Sequence, residues 1–259
     1  MPSSPVEMTA MTFNMRFSTA PDGVNAWPNR RDGLLELVRE HDPDVLGVQE
    51  ALFDQIDDLR AWLPQHDVLG VGRDDGVRKG EHSAILYRRA LLGLREGGTR
   101  WISPKPKVPG SLAFDARITR VFTWGEFFHA SGRLLLLANA HLDHESAQAR
   151  RLGGEMMRDL VKERSLPAIV MGDFNCAADE PPVVALTEGG LMHEALPPGG
   201  PVGTFHGFDD TQTNGPMIDH ILHTRDWRAE WAKVDRRRVG GRMTSDHFPV
   251  VARLSLREV

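Results

Sequence analysis

The chain has 259 residues, of which 41% are hydrophobic and 26% charged, and its formal net charge at pH 7 is −5. Such a chain can bury a large core without disulfides, and its single cysteine, Cys176, excludes an internal disulfide or a cysteine zinc cluster. The negative charge argues against sequence-independent duplex binding across a broad basic face, although ordinary solubility is the simpler explanation of it.

The N-terminal residues lack the basic and apolar regions of a signal peptide, and no apolar run approaches membrane-spanning length. We therefore expect a cytoplasmic protein without membrane insertion, in the form of a monomer. The length fits one catalytic domain over residues 1–259.

Short runs rich in β-branched and aromatic residues recur along the whole chain and predict ten strands. They cover 8–17, 44–50, 66–72, 82–88, 121–130, 133–142, 167–174, 217–223, 228–234 and 247–256. Three helical patterns lie between them, from Trp27 to just before Pro43, over 51–63 and over 145–164. Because strands often follow strands directly, the order favours mixed sheets covered by helices over an alternating barrel.

Polar residues end several of these strands, most clearly in Asp173-Phe174-Asn175. Residues two apart on a strand share a face, so the carboxylate and the amide are expected to point together into a cleft. A carboxylate there can orient or deprotonate water, and an amide can donate to the oxygens of a phosphorane. A turn in which Asp173 and Asn175 only satisfy local backbone groups is an equally good interpretation of this motif alone.

Two further Asp-His pairs follow. In Ser245-Asp246-His247 the carboxylate suits a metal and the imidazole a phosphate, although an aspartate at a strand start is often only a turn residue. Asp219 lies in an apolar strand, and a buried carboxylate needs a partner. We expect that partner to be His247, whose ring the contact would orient and make more basic. His220 faces the other way and is expected in the core or an interface.

Three earlier residues complete the set of candidates. His141 ends an apolar run, Glu50 closes an apolar strand before a helix, and Asn14 lies in the first strand. Each is weak evidence alone, since a strand-end histidine is more often structural and a glutamate also favours a helix N-terminus. The remaining histidines, among them His41, His66 and His193, are expected at the surface.

Taken in order, these motifs resemble those of the endonuclease/exonuclease/phosphatase superfamily, which has the deoxyribonuclease I-like fold. The resemblance spans about Thr12 to Leu254 and is specific for fold rather than for substrate. It implies an α/β protein, a four-layer α/β sandwich of two mixed β-sheets packed face to face with helices on the outside. The stretches 72–76 and 203–208 resemble the bacterial branch near the deadenylase/nocturnin-like members.

The resemblance also implies a metal site. Glu50 would be the main ligand, with Asn14 beside it and Asp246 near the ion, directly or through water. Oxygen ligands of this kind are those preferred by Mg²⁺ or Mn²⁺, which we expect as the cofactor. Arg16 stands where many nuclease relatives carry a small polar residue, which disfavours a second metal ligand there and adds a guanidinium suited to phosphate.

Catalytic roles follow from the same resemblance. Asp173 would position or deprotonate the attacking water, and Asn175 would stabilise the transition state. His141 and His247, the latter paired with Asp219, would contact the phosphate.

Two further residues are candidates for substrate contact. Glu81 resembles the glutamate that orients the first histidine in deoxyribonuclease I, with an exposed loop acid as an equal alternative. Arg120 resembles a basic substrate-side position, and a salt bridge at the sheet edge fits it equally well.

The expected function is divalent-metal-dependent phosphoester hydrolysis by water, as a phosphodiesterase or nuclease or as a phosphatase. One alternative is a phosphomonoesterase for small or lipid-linked substrates. Another is a catalytically silent binding module on the same fold, which the complete set of acids and histidines disfavours. The proline- and glycine-rich stretches 103–116 and 197–216 predict long loops that wall the cleft. The expected partner is therefore a nucleic acid end or a small phosphorylated molecule.

Overall fold

The computed structural model describes residues 6–196, 203–209, 211 and 215–257. The strands in this part of the chain are β1 (Glu7–Asn14), β2 (Val45–Ala51), β3 (His66–Leu69), β4 (His82–Arg88), β5 (Leu92–Trp101), β6 (Val121–His129), β7 (Leu134–His141), β8 (Ala168–Asp173), β9 (Met192–Glu194), β10 (Asp219–Thr224), β11 (Trp227–Val234) and β12 (Val250–Leu256). The helices are α1 (Trp27–His41), α2 (Phe53–Trp62), α3 (Ala147–Arg164) and α4 (Pro181–Thr187), with short 3-10 turns at Gly23–Asn25 and Glu188–Gly190.

The strands form two six-stranded sheets with the same alternation of directions. The first sheet has the order β11-β12-β1-β2-β4-β3, and the second has the order β5-β6-β7-β8-β10-β9. In each sheet the central pair is parallel, β1 with β2 and β7 with β8, and the other neighbours are antiparallel. Both sheets are therefore mixed, as the resemblance implies.

Three apolar clusters define the layers. The cluster between the sheets takes residues from both, including Phe127 of β6 and Trp227 of β11. A second cluster packs α3, through Leu160, against the outer face of the second sheet. A third packs α1 and α2, through Leu34 and Ile56, against the outer face of the first sheet. The predicted four-layer α/β sandwich with helices on the outside is confirmed.

Local sequence signals set the helix ends. Pro28 lies in the first turn of α1, where a missing N–H costs nothing. The helix ends at His41 and is capped by Asp42, which has a left-handed backbone (φ 42°) and precedes Pro43. Ser146 begins α3, and its Oγ accepts a hydrogen bond from the Ala149 N–H at 2.9 Å. The three predicted helices form within two residues of their expected limits.

All ten predicted strands form, several of them shorter than expected, and the described residues also contain two strands and one α-helix that were not predicted. The unpredicted strand β5 contains three glycines and is mostly exposed, since it forms an edge of the second sheet. The strand β9 has three residues, and α4 begins with two prolines. The stretch 103–116 contains neither a helix nor a strand, as expected for a loop, whereas much of 197–216 lies outside the described residues.

The surface prediction is wrong for five histidines, since His82, His206 and His223 are buried and His41 and His66 are enclosed by their contacts. The His66 side chain is buried, and its Nε2 finds a hydrogen-bond partner in the Pro43 carbonyl oxygen at 2.8 Å. His41 is also largely enclosed, with Nε2 2.6 Å from Asp235 Oδ2. His193 is exposed, as expected. None of the described helices is both long enough and apolar enough to cross a membrane.

The parallel pairs determine where polar residues collect. Asn14 ends β1, Glu50 lies near the end of β2, His141 ends β7 and Asp173 ends β8. Because parallel strands present their carboxyl ends on the same edge, each pair delivers two polar side chains to one rim. The Asn14 amide donates to Asp173 Oδ2 at 2.9 Å, so the two rims face each other across the sandwich.

Candidate active site

A cleft of about 760 Å³ opens at this rim. Nine of the eleven predicted site residues line it: Arg16, Glu50, Glu81, Arg120, His141, Asp173, Asn175, Asp246 and His247. The other two, Asn14 and Asp219, lie beneath the lining and hydrogen bond to it. The structure therefore brings together residues that are separated by more than two hundred positions in the sequence.

Unusual backbone conformations concentrate at the cleft. Seven described non-glycine residues have positive φ, and four of these line the cleft, namely Arg16 (54°), Glu50 (59°), Asn175 (50°) and Phe208 (60°). L-residues adopt this region at a cost, which the surrounding structure must outweigh. At Glu50 the conformation coincides with a bulge between β2 and β4, which interrupts the regular strand there.

Asn14 and Glu50 form one side of the floor. The Asn14 amide nitrogen donates to Glu50 Oε1 at 3.2 Å and to Asp173 Oδ2 at 2.9 Å, while its Oδ1 accepts from the Arg16 N–H at 3.0 Å. Glu50 Oε2 accepts from the Phe17 N–H at 3.3 Å. Both hydrogen bonds to the Glu50 carboxylate are long, so its oxygens keep capacity for a further ligand.

Asp246 lies on the same side, in the loop before β12 rather than at the start of the strand. Ser245 Oγ donates to Asp246 Oδ1 at 3.2 Å, and Arg16 Nε lies 3.7 Å from Asp246 Oδ2. The Arg16 guanidinium makes a paired contact with Asp22 at 3.0 Å to each oxygen. That hydrogen bonding raises the pKa of Arg16, with further support from Asp246 and Glu50.

Asp173 is the buried centre of the site. Its Oδ1 accepts from the Asn175 N–H at 2.9 Å, and the Asn175 amide donates to the Leu142 carbonyl at 3.1 Å. Burial, followed by the neighbouring Asp219, raises the pKa of Asp173 to about 7. The expectation that Asn175 continues the strand is wrong, because β8 ends at Asp173 and Asn175 has a left-handed backbone. The motif is a turn, and both side chains nevertheless reach the cleft.

His247 and Asp219 form the expected pair. His247 Nδ1 lies 2.8 Å from Asp219 Oδ2, and its Nε2 lies 3.7 Å from Asp173 Oδ2. Burial opposes the charged ring, but the carboxylates of Asp219 and Asp173 outweigh it and raise the pKa of His247 to about 10. Thr204 Oγ1 accepts from the backbone N–H groups of Ile218 and Asp219, at 3.0 and 3.1 Å, and so fixes the start of β10.

His141 is buried on the opposite side. Its Nε2 lies 3.4 Å from Asp173 Oδ2, and its Nδ1 lies 3.8 Å from Glu81 Oε2, too far for a hydrogen bond. Burial, together with the positive charges of Arg120 and Arg73, holds the pKa of His141 well below its ordinary value. Glu81 instead accepts from Arg73, a residue that the sequence analysis did not single out.

Arg120 is almost completely buried beside this wall. Its Nη2 donates to His144 Nδ1 at 2.8 Å, and its Nη1 lies 3.8 Å from Glu81 Oε2. His144 lines the cleft and was also not singled out in the sequence, because a histidine in a polar loop carries no pattern of its own. The expected alternative of a sheet-edge salt bridge is not formed at hydrogen-bond distance.

Two groups in the cleft have donors for a metal. The ligand atoms of Asp173, Asp219 and His247 lie within 4.8 Å of one another, but the contact between His247 and Asp219 already occupies one nitrogen and one oxygen. The second group, Glu50, Asn14 and Asp246, offers oxygen ligands, which hard divalent cations prefer.

The charge of the cleft is strongly unbalanced. In the described part of its wall, two arginines, Arg16 and Arg120, and the protonated His247 face six carboxylates, and these cationic groups already contact carboxylate or imidazole groups. The carboxylates are those of Asp22, Glu50, Glu81, Asp173, Glu180 and Asp246. An anionic ligand would therefore enter a negatively charged cleft, which a bound cation would offset.

Residues 11–247 match the family model described as the Endonuclease/Exonuclease/phosphatase family. The chain belongs to this family. Members of the family are phosphoesterase hydrolases, generally dependent on a divalent metal. The family assignment agrees with the motif order and the two mixed sheets.

Solved structures share the whole fold. A family protein from Bacteroides thetaiotaomicron is 33% identical, with a TM-score of 0.92 over 99% of this chain and 100% of that chain. A mannosyl-6-phosphatase from the same species is also 33% identical, with a TM-score of 0.85 over 95% of this chain and 99% of that chain.

Nocturnin from Drosophila melanogaster is 24% identical over 68% of this chain and 28% of its own length. The chain spans less than two thirds of the length of the curated relatives it matches.

Proposed function

We propose that this protein is a divalent-cation-dependent phosphoester hydrolase that acts on small phosphorylated molecules. The observation that carries the proposal is the acidic cleft, in which Asp173, His141 and the pair of His247 and Asp219 converge beside an oxygen-rich group of ligands. A cleft with excess carboxylates suits a small ester better than a long polyanion, whose further phosphates the carboxylates would repel. The predicted walls form only in part, since Phe205 and Phe208 line the cleft and no residue of 103–116 does.

Glu50, Asn14 and Asp246 would hold Mg²⁺ or Mn²⁺. Their donor set is composed of hard oxygens, and the two long hydrogen bonds to Glu50 leave it able to bind an ion. When bound, the cation supplies positive charge to the oxygens of the phosphoryl group. The protein's own side chains would position the substrate and the attacking water.

Asp173 is proposed as the group that positions the attacking water and takes its proton. Its burial and its raised pKa, about 7, make it a stronger base than an exposed aspartate. Asn175, held by its contact with the Leu142 carbonyl, would stabilise charge that develops on the phosphoryl oxygens.

The two histidines would contact the phosphoryl group in different states. His247 carries a positive charge near neutral pH because Asp219 and Asp173 stabilise it, so it would act as a charged hydrogen-bond donor. His141 remains neutral because burial and neighbouring arginines disfavour its protonated form. Asp219 orients the His247 ring, and Thr204 in turn orients Asp219.

A phosphorylated sugar is the candidate substrate favoured by the comparisons, since the relative named mannosyl-6-phosphatase is 33% identical over nearly the whole chain. Hydrolysis of a diester at a nucleic acid end is the second candidate. It is supported by the aromatic rings of Phe205 and Phe208, which line the cleft and offer faces for a base.

The test is a panel of substrates with purified protein, first stripped of metal with a chelator and then supplied with Mg²⁺, Mn²⁺ or Ca²⁺. We expect hydrolysis of small phosphomonoesters to be lost on chelation and restored by Mg²⁺ or Mn²⁺ but not Ca²⁺. Full activity after exhaustive chelation would refute the metal requirement. Efficient nicking of closed circular duplex DNA, without preference for small esters or single-stranded ends, would refute the substrate class.

A further inference from the structure

One histidine that lines the cleft, His144, is held by a hydrogen bond from a nearly buried arginine. His144 lines the cleft, and its side chain is 52% exposed. Its Nδ1 lies 2.8 Å from Nη2 of Arg120, a side chain that is only 5% exposed. An exposed imidazole is thus attached to a nearly buried guanidinium, an arrangement that restricts the ring far more than a surface position alone would.

The contact determines which ring nitrogen carries the proton. A guanidinium has only donors and keeps its protons in proteins, so His144 Nδ1 must be the acceptor. The ring proton then lies on Nε2, and the ring is uncharged while the contact persists. Nε2 lies 3.7 Å from Glu145 Oε1, beyond hydrogen-bond distance. His144 therefore offers a neutral N–H donor in the lining of the cleft.

Arg120 itself is poorly placed to hold a phosphate. Its Nε and Nη1 are buried and have no hydrogen-bond partner among the described residues, and Glu81 lies 3.8 Å from Nη1. Its guanidinium is therefore largely enclosed in the wall of the cleft, where the Glu81 carboxylate partly offsets its charge. We assign it the role of positioning His144.

Other groups that line the cleft complete a distinct chemistry. Glu180 lines the cleft, and its Oε1 accepts from the Ala177 N–H at 2.9 Å, which anchors an acceptor there. The rings of Phe205 and Phe208 also line it. A neutral donor, a carboxylate acceptor and aromatic faces suit the hydroxyls and the C–H surface of a polyol, and the carboxylates disfavour a second phosphate.

We infer that His144, held by Arg120, recognises a hydroxyl group of the alcohol that leaves the phosphate, so that the substrates are phosphate esters of polyhydroxylated alcohols such as sugars. This inference rests on the proposed function and adds to it the residue that selects the alcohol. His144 contacts Arg120 rather than Asp173, so the selection would reside in binding of the alcohol.

The test compares kcat/KM for mannose 6-phosphate with that for hexyl phosphate, which has the same number of carbons and no free hydroxyl. Wild-type protein should favour the sugar ester. His144→Leu should lower kcat/KM for the sugar ester by about 10-fold, the equivalent of one hydrogen bond, and leave hexyl phosphate within about 2-fold. His144→Gln, which keeps an acceptor for Arg120 and an outward N–H donor, should restore most of the preference.

His193→Leu is the matched control, because this exposed histidine lies on β9 and not in the cleft. Equal losses for both esters in His144→Leu, or a wild-type enzyme indifferent to the hydroxyls, would overturn the inference and leave the proposed hydrolase intact. Absence of metal-dependent turnover for every ester would overturn both together.

Discussion

His206 should make the protein sensitive to acid, and replacing it with phenylalanine should remove this sensitivity. The His206 ring is buried, and its centroid lies 4.2 Å from the ring centroid of Phe248 and 6.2 Å from that of Phe208. Neither of its nitrogens has a hydrogen-bond partner among the described residues. Burial lowers the pKa of His206 to about 4, from an ordinary value of 6.5. His206→Phe keeps an aromatic ring in an aromatic site and removes two unpaired polar atoms.

The magnitude follows from linkage. Above pH 6.5 the His206 ring is neutral in both the folded and the unfolded state, so it adds nothing to the pH dependence of the free energy of unfolding. As the pH falls from 6.5 towards 4, the unfolded chain takes up a proton that the folded protein excludes, so stability decreases. At about 1.4 kcal/mol per pH unit the full loss is about 3 kcal/mol near pH 4, and about 2 kcal/mol of it is reached at pH 5.

Urea denaturation at pH 8 and pH 5 measures the difference. The wild-type free energy of unfolding should fall by about 2 kcal/mol more than that of His206→Phe between these values, since the other titrating groups are common to both proteins. His193→Phe, on an exposed histidine, should behave as the wild type. A variant with the same pH dependence as the wild type would mean that His206 is protonated or hydrogen bonded in the folded state, which refutes the reasoning.

Three other changes test different parts of the structure. Asp173→Asn keeps the shape of the base but removes its charge, so kcat should fall by about 10² to 10⁴ with little change in the urea midpoint, and near-normal turnover would make it only a turn residue. Asp219→Asn should lower the pKa of His247 measured by NMR, because the main neighbouring negative charge is lost; an unchanged value would contradict that cause. Gly154→Ala should cost about 1 to 3 kcal/mol in unfolding free energy, since its Cβ would lie 2.6 Å from the Pro182 backbone, and unchanged stability would show that α4 moves freely.

Strand and motif patterns were enough to predict the sandwich, because buried strands are continuous apolar runs and the site motifs occur at their ends. The strand β5 escaped prediction because an exposed edge strand with three glycines has neither signal. The Asp173-Phe174-Asn175 motif illustrates a second limit. Its side chains meet in the cleft as expected, but a left-handed turn places them there instead of strand alternation.

Residues that act through others were the hardest to find. Thr204 supports Asp219 through backbone donors, Arg73 engages Glu81, and Arg120 fixes His144. Each contact joins segments that only the three-dimensional fold brings together, and a hydroxyl or guanidinium in a loop has no periodicity to reveal its partner. The sequence therefore predicted the charged centre of the site better than the groups that orient it.

The division of the site between two sheets has a consequence for folding. Asn14 and Glu50 come from one sheet and His141 and Asp173 from the other, so neither sheet alone holds a complete centre. Just beneath, the Asn139 amide of the second sheet donates to backbone oxygens of β2 and β4. Turnover would therefore appear only when the two sheets pack in register. Its recovery during refolding would report association of the sheets rather than formation of the strands.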